Sequence, residues 1–271
     1  MKIAIQGQAG SFHDSVARQY FDDTIDRICC ETFHDVFAAL ENNQAQHAVC
    51  AVENSLYGPI SEVYDLLLQY RFPIVGEAIE HIHQQLIALP GVQLADITEV
   101  YSHPVALDQC REWLERYLPD AEIVEHHDTA GAVEYIKQLD SPYTAAIAGK
   151  QAAKLHNLPI IVKDIEDEKT NLTRFFIIDP KGVAPANANK ASLVLTTSHQ
   201  PGALYRALGI FDKYHINLSK LTSRPIRGER FRYHFFIDAE CSPSIVRAII
   251  DELKAQQCEV ICLGHYHASD E

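Results

Sequence analysis

Residues 171–175, Asn171-Leu172-Thr173-Arg174-Phe175, set a hydroxyl, a guanidinium and an aromatic ring in succession at the mouth of the apolar run Phe175-Phe176-Ile177-Ile178. That run is β-branched and aromatic and is closed by Asp179-Pro180, so it reads as a buried strand. A fixed cation beside a neutral hydrogen-bond donor suits a small anionic substrate. On these five residues alone the plainer reading, an edge strand with a surface arginine, wins; the rest of the chain overturns it. One constraint stands throughout. A strand alternates its faces, so Thr173 and Arg174 serve one cleft only if the backbone is still irregular before Phe175.

The elements that must position these residues alternate along the first 180 positions. Lys2–Gln6 reads as a strand, Gly7-Gln8-Ala9-Gly10-Ser11 as a glycine loop, Asp14–Phe21 as a helix and Arg27–Glu31 as extended. Thr32 caps a helix over Phe33–Glu41. His47–Val52 is a strand running into Glu53-Asn54-Ser55, and Gly58-Pro59 opens a helix through Tyr70. A second set from Pro73 holds strands at Ile74–Ala78, His83–Ala88, Val100-Tyr101, Glu122–Val124 and Tyr143–Ala148. Its helices run from Pro104 to Tyr117, from Thr129 to Leu139, and on to His156. This alternation implies mostly parallel sheets covered by helices, which bind ligands at the carboxyl ends of their strands. Ser11, Glu53-Asn54-Ser55 and Ser102-His103-Pro104 fall at such ends. Ser11 and Thr129, each at a helix start, suit a carboxylate through hydroxyl and backbone N–H.

Bulk properties narrow the classes. A length of 271 residues, with 47% hydrophobic and 22% charged side chains, fits a globular protein of two or three compact units. No stretch reaches the ~18 apolar residues of a membrane helix. The N-terminus reads as a strand rather than a signal peptide, so a cytoplasmic location is expected. A net charge of −14 disfavours a nucleic-acid partner. Seven cysteines without a Cys-x-x-Cys pattern read as reduced core residues. Cys258, Cys262, His265 and His267 superficially resemble a metal cluster but alternate along a strand and a loose terminus, so no metal is expected. Gly7-x-x-Gly10 lacks the third glycine and acidic partner of a dinucleotide loop, and no cofactor is implied.

Residues 181–190 are small, polar and proline-punctuated and read as a linker. Beyond them, strands and helices follow as βαββαβ, a split-βαβ, ferredoxin-like sandwich spanning 191–271. This unit resembles an ACT domain, a regulatory module that binds amino acids. The resemblance rests on Gln200-Pro201-Gly202-Ala203-Leu204 and on Thr222-Ser223-Arg224-Pro225. The whole chain is similar to the monofunctional prephenate dehydratases. The motifs are Gly7-x-x-Gly10-Ser11-Phe12, Val52-Glu53-Asn54-Ser55, Tyr101-Ser102-His103-Pro104 with Gln109-Cys110, Asp128-Thr129-Ala130 and Asn171-x-Thr173-Arg174-Phe175.

The resemblance implies a catalytic domain over 1–180, folded as two α/β lobes like a type 2 periplasmic binding protein. One lobe would comprise 1–72 with 173–180, the other 73–172. No long helical segment precedes Met1, so a fused chorismate mutase is not expected. The implied reaction converts prephenate to phenylpyruvate, with Thr173 donating to the departing hydroxyl. Glu53, Asn54 and Gln109 join it in catalysis. Arg174, Ser11, Ser55, Ser102, Thr129 and Phe175 are the implied substrate contacts, Arg174 on the pyruvyl carboxylate and Phe175 by packing. L-Phenylalanine would bind at Gly202, Ala203, Leu204, Ser223, Arg224 and Pro225, although Thr222 stands where the family has glutamate. A homodimer or homotetramer is expected. Two other readings stay open: arogenate dehydratase, and a binding protein or sensor without turnover.

Overall fold

The computed structural model describes residues 1–269. The chain divides into two compact units, one of Met1–Leu66 with Ile79–Phe175, the other of Leu67–Ala78 with the chain from Phe176. In order, the elements through the first 180 residues are β1 (Lys2–Gln6), α1 (Phe12–Tyr20), β2 (Asp26–Cys30), α2 (Phe33–Glu41), β3 (His47–Asn54), β4 (Gly58–Pro59) and α3 (Ser61–Tyr70). There follow β5 (Ile74–His81), β6 (Gln85–Ala88), β7 (Glu99–Ser102), α4 (Pro104–Asp108), α5 (Arg111–Tyr117), β8 (Glu122–Glu125) and α6 (Thr129–Leu139). Last come β9 (Thr144–Ala148), α7 (Lys150–His156), β10 (Ile160–Val162) and β11 (Leu172–Ile178).

The first unit contains two sheets. In one, β11, β3, β1 and β2 lie side by side, with β1 parallel to both β2 and β3. In the other the order is β10-β6-β9-β7-β8, with β7 parallel to β8 and β9, and β6 antiparallel to β9 and β10. The helices follow from apolar periodicity. Helix α6 turns Ala130, Ala132, Val133 and Ile136 inward against Ala146 and Ala148 of the wholly buried β9. Each of its two large side chains contributes about 1.5–3 kcal/mol by burial. Thr32 does cap α2, in a reciprocal capping box with Asp35.

Two departures from the sequence reading bear on the site. The helix expected over 104–117 is two helices, broken at Gln109-Cys110. Asp167 makes the break: its carboxylate accepts from the N–H groups of Glu112 and Trp113, both at 3.0 Å, and its own N–H donates to the Gln109 carbonyl at 2.8 Å. A cap supplied from 55 residues away leaves no local signal. Gln109 is therefore the last turn of α4 rather than the middle of a long helix. The strand at the motif itself is also regular from Leu172, so the irregular backbone that would bring Thr173 and Arg174 to one cleft is absent there.

The second unit adds β12 (Lys190–Thr196), α8 (Ala203–Lys213), β13 (Leu218–Pro225), β14 (Tyr233–Ala239), α9 (Pro243–Ala255) and β15 (Glu259–Tyr266). The antiparallel sheet order β13-β14-β12-β15 is that of the expected ferredoxin-like sandwich. Its core is Leu193, Leu195, Ala207, Ile210, Phe211, Ile237, Val246, Ile249 and Leu253. The first residues of β5 pack beside β15. There Gly264 meets Ile74 so closely that an added Cβ would lie 2.1 Å from the Ile74 carbonyl oxygen. Lys190, the last residue assigned to the linker, is a buried strand residue paired with the Glu77 carboxylate at 2.9 Å.

Candidate active site

A cavity of about 630 Å³ opens in the first unit, walled by both of its sheets. Thr173 and Phe175 reach it from β11, Asn54 from the end of β3, Gln84 from the residue before β6 and Gln109 from the end of α4. Ser11, Phe12 and His13 come from the start of α1, and Asp128 and Thr129 from the start of α6.

Thr173 is 8% exposed, and its Oγ1 accepts from Asn54 Nδ2 at 2.9 Å. Asn54 also donates to Asn171 Oδ1 at 2.7 Å, while its Oδ1 accepts from the N–H groups of Leu56 and Tyr57. These backbone donors fix the amide orientation. With Asn54 as its donor, Thr173 has its own O–H to give.

The opposite face of the same strands holds Glu53 and Arg174, 3.9 Å apart. Strand alternation forces this: when Asn54 and Thr173 face the cavity, their neighbours cannot. Neither Glu53, expected to join in catalysis, nor Arg174, expected to bind substrate, is among the cavity-lining residues. Ser55 and Ser102 are also off the wall. Ser55 Oγ donates to the Thr170 carbonyl at 3.2 Å and accepts from Leu172 N–H at 2.9 Å, tying the start of β11 to the end of β3. Ser102 is fully buried and donates to the Ile147 carbonyl at 2.6 Å. The expected contacts at Ser11, Thr129, Gln109 and Phe175 do line the cavity.

Among the described residues, no lysine or arginine lines it. Two helix N-termini open toward it, α1 behind Ser11 and α6 behind Asp128, the second already partly offset by the Asp128 carboxylate that caps it. Their side chains cap Asp14 N–H and Gly131 N–H, and the first-turn N–H groups of Phe12, His13, Thr129 and Ala130 have no acceptor within their own helices.

Three further groups support the cavity wall. Asp14 is fully buried, accepts from Gly10 N–H at 2.7 Å and pairs with Arg18 at 3.1 Å and Arg27 at 2.8 Å, holding the glycine loop. Gly10 itself, at φ +88°, would bring a Cβ within 3.0 Å of Ala152. His13 accepts from Ala51 N–H through Nε2 at 3.1 Å and meets Phe175 edge-on at 5.1 Å. Burial pulls its pKa down to about 4. His103 likewise has its pKa lowered by burial, and its Nδ1 accepts from Val105 N–H at 3.2 Å, which places the ring proton on Nε2. Asp14 had a local signal, as an acidic residue in a first helical turn, and His103 stood in the motif Tyr101-Ser102-His103-Pro104; His13 had none.

His83, Asp164 and Glu166 bring ligand-type atoms within 4.8 Å of one another. Gln84 N–H and Gln85 Nε2 occupy these carboxylates, and Lys169 Nζ lies 3.8 Å from Glu166, so the cluster is satisfied as an ion-pair network.

The fold and cavity define a two-sheet α/β catalytic unit followed by a ferredoxin-like module. A family model described as prephenate dehydratase matches residues 3–182. Arogenate dehydratase/prephenate dehydratase 2, chloroplastic, of Arabidopsis thaliana is 36% identical over 253 residues, spanning 89% of this chain and 66% of its own. Among solved structures, GqqA, described as a novel type of quorum-quenching acylase, has a TM-score of 0.88 at 33% identity, covering 99% of this chain and 98% of its own. The prephenate dehydratase of Arthrobacter aurescens in complex with L-Phe also has 0.88, at 29% identity, covering 98% of this chain and 90% of its own. The chain belongs to the prephenate dehydratase family.

Proposed function

We propose that the cavity carries out the decarboxylative dehydration of prephenate to phenylpyruvate. The observation that supports it best is the Asn54–Thr173 hydrogen bond, which leaves the Thr173 proton to the cavity. Prephenate loses its ring carboxylate as carbon dioxide while the C–C electrons move through the ring and expel the C4 hydroxyl. Thr173 donates to that oxygen, and the bond strengthens as hydroxide character develops. The pyruvyl carboxylate keeps its charge and is held by the N–H groups opening α1 and α6, with Ser11 and Thr129 beside them. This replaces Arg174 as the anchor. Gln109 and Phe175 orient and enclose the ring.

Residues 191–271 are proposed as the ACT module, with phenylalanine bound around Gly202, Ala203, Leu204, Ser223, Arg224 and Pro225 and a homodimer or homotetramer formed in the cytoplasm. The A. aurescens relative was solved with L-Phe, in keeping with this. Gly202 sits at φ +76° at the start of α8 and so lets a ligand approach the backbone. Ser223, Arg224 and Pro225 complete β13 rather than follow it.

The test is phenylpyruvate formation from prephenate with and without L-phenylalanine. Turnover that phenylalanine reduces supports both parts; no turnover by folded protein refutes the first. Arogenate is the second substrate to assay, because the Arabidopsis relative's name joins both activities. Cleavage of an acyl amide is the third, given the GqqA relative.

A further inference from the structure

His13 lines the cavity from the first turn of α1, and its ring is oriented from behind. Ala51 N–H donates to Nε2 at 3.1 Å, so Nε2 carries the lone pair and the neutral ring holds its proton on Nδ1. Phe175, edge-on at 5.1 Å, and Phe33, at 5.7 Å, pack against the ring. Nδ1 has no hydrogen-bond partner among the described residues and, unlike Gln84 Oε1 and Asn171 Nδ2, is not sealed from solvent. The result is a neutral donor of fixed orientation in a residue only 8% exposed. A donor so enclosed is unfavourable alone, and a ligand acceptor relieves it.

Resting on the dehydratase reading, we infer that His13 Nδ1–H donates to the ring carboxylate of prephenate, the group that departs as carbon dioxide. Position argues for it. Thr173 and Phe175 both line the cavity and stand two residues apart on β11, about 7 Å along the strand, which matches the reach of a six-membered ring with its 1,4 substituents. With Thr173 on the C4 oxygen, C1 falls beside Phe175, where His13 packs. C1 bears two groups. The pyruvyl arm reaches the helix starts, and the carboxylate on the same carbon meets the His13 ring. Charge argues for it as well. This carboxylate loses its charge in the reaction, so a cation beside it would stabilise the ground state and slow the step. A neutral N–H aligns the group without that hold, and burial keeps the imidazole uncharged down to about pH 4. The two phenylalanine rings beside it add no further donor, so the anion is poorly solvated there and loss of its charge is favoured.

The test measures kcat/KM for prephenate and product inhibition by phenylpyruvate in the unaltered chain and in His13→Met, which nearly keeps the volume and removes the donor. Phenylpyruvate keeps the pyruvyl arm but lacks the ring carboxylate. The kcat/KM for prephenate should fall about tenfold or more while the inhibition constant of phenylpyruvate stays within about twofold. A merely structural role would weaken both together, so equal losses, or no loss in either, overturn the inference. A second measurement needs no variant. In the unaltered chain with 15N-labelled histidine, the His13 Nδ1 proton resonance should move downfield on adding prephenate with both ring double bonds reduced, which cannot aromatise. It should not do so with phenylpyruvate; the same response to both ligands overturns the inference and leaves the dehydratase reading in place. Failure of the folded, unaltered chain to turn over prephenate overturns that reading and the inference with it.

Discussion

Asn54 and Thr173 are joined by a hydrogen bond whose direction is set from outside the pair. Leu56 and Tyr57 N–H groups hold Asn54 Oδ1, so Nδ2 must be the atom that meets Thr173 Oγ1 at 2.9 Å. The donor role of Thr173 is inherited from two backbone amides in the turn after β3. Asn54→Asp keeps the shape but offers Thr173 an acceptor, which turns its proton away from the substrate. Steady-state kinetics should show kcat falling about 10²-fold or more with KM little changed, as should Thr173→Ala. A kcat within threefold of the unaltered enzyme would remove the pair from the chemistry.

Arg174 gives the contrasting expectation. It pairs with Glu53 on the face away from the cavity. Arg174→Gln should leave KM for prephenate within about threefold and lower stability by about 1 kcal/mol, as for a partly exposed pair. Initial rates and urea unfolding measure the two effects separately. A KM raised tenfold in a variant of normal stability would return Arg174 to the substrate.

The glycine loop depends on Asp14. Replacing it with alanine leaves Arg18 and Arg27 facing each other without their shared carboxylate and frees Gly10 N–H. Loss of a buried pair of this kind costs about 3–5 kcal/mol. The urea midpoint should drop accordingly, and an unchanged midpoint would show that the loop is held by other means.

His13 links stability to pH. Folded, it stays neutral until about pH 4; unfolded, it takes up a proton near its ordinary value of 6.5. Its contribution is fully present above pH 6.5 and is lost as pH falls toward 4, by up to about 3 kcal/mol. His103, His156 and His265 are lowered in the same direction, so the informative quantity is a difference. His13→Gln should flatten the slope between pH 6.5 and 4 relative to the unaltered chain. Parallel slopes would mean that His13 charges freely in the fold.

Phenylalanine control is probed at Gly202. An alanine there must adopt φ +76°, and its Cβ would lie 2.9 Å from Arg206 Nη1. Gly202→Ala should weaken inhibition by phenylalanine about tenfold while leaving uninhibited turnover near normal. Unaltered inhibition would put the effector elsewhere.

Much of this was legible in the chain. Alternation of apolar runs with capped helices gave most strands of the first unit, though not β4, β10 or the antiparallel run of β6, and the sandwich of the second, because such periodicity is local. The Thr173 strand also contained its own warning, since alternation already set Arg174 against Thr173. What stayed hidden depends on distant partners. The break at Gln109 comes from Asp167, the need for a glycine at 264 from the close approach of Ile74, and the pairing of Gln84 with Gln109 from two segments 25 residues apart. Glu53, Ser55 and Ser102 sit in motifs that adjoin the cavity, but a motif does not tell which of its side chains faces inward.

The site's appeal to an anion resides in peptide groups. Helices α1 and α6 present their opening amides to a cavity lined, among the described residues, by no lysine or arginine, within a protein of net charge −14. Side-chain replacements other than proline leave those amides in place, so the attraction is robust to mutation in a way that an arginine anchor is not. It is also short-ranged, fading within a turn of the helix end. A doubly charged substrate therefore approaches against the global field and is captured only on arrival, so moderate salt should quicken its association rather than slow it.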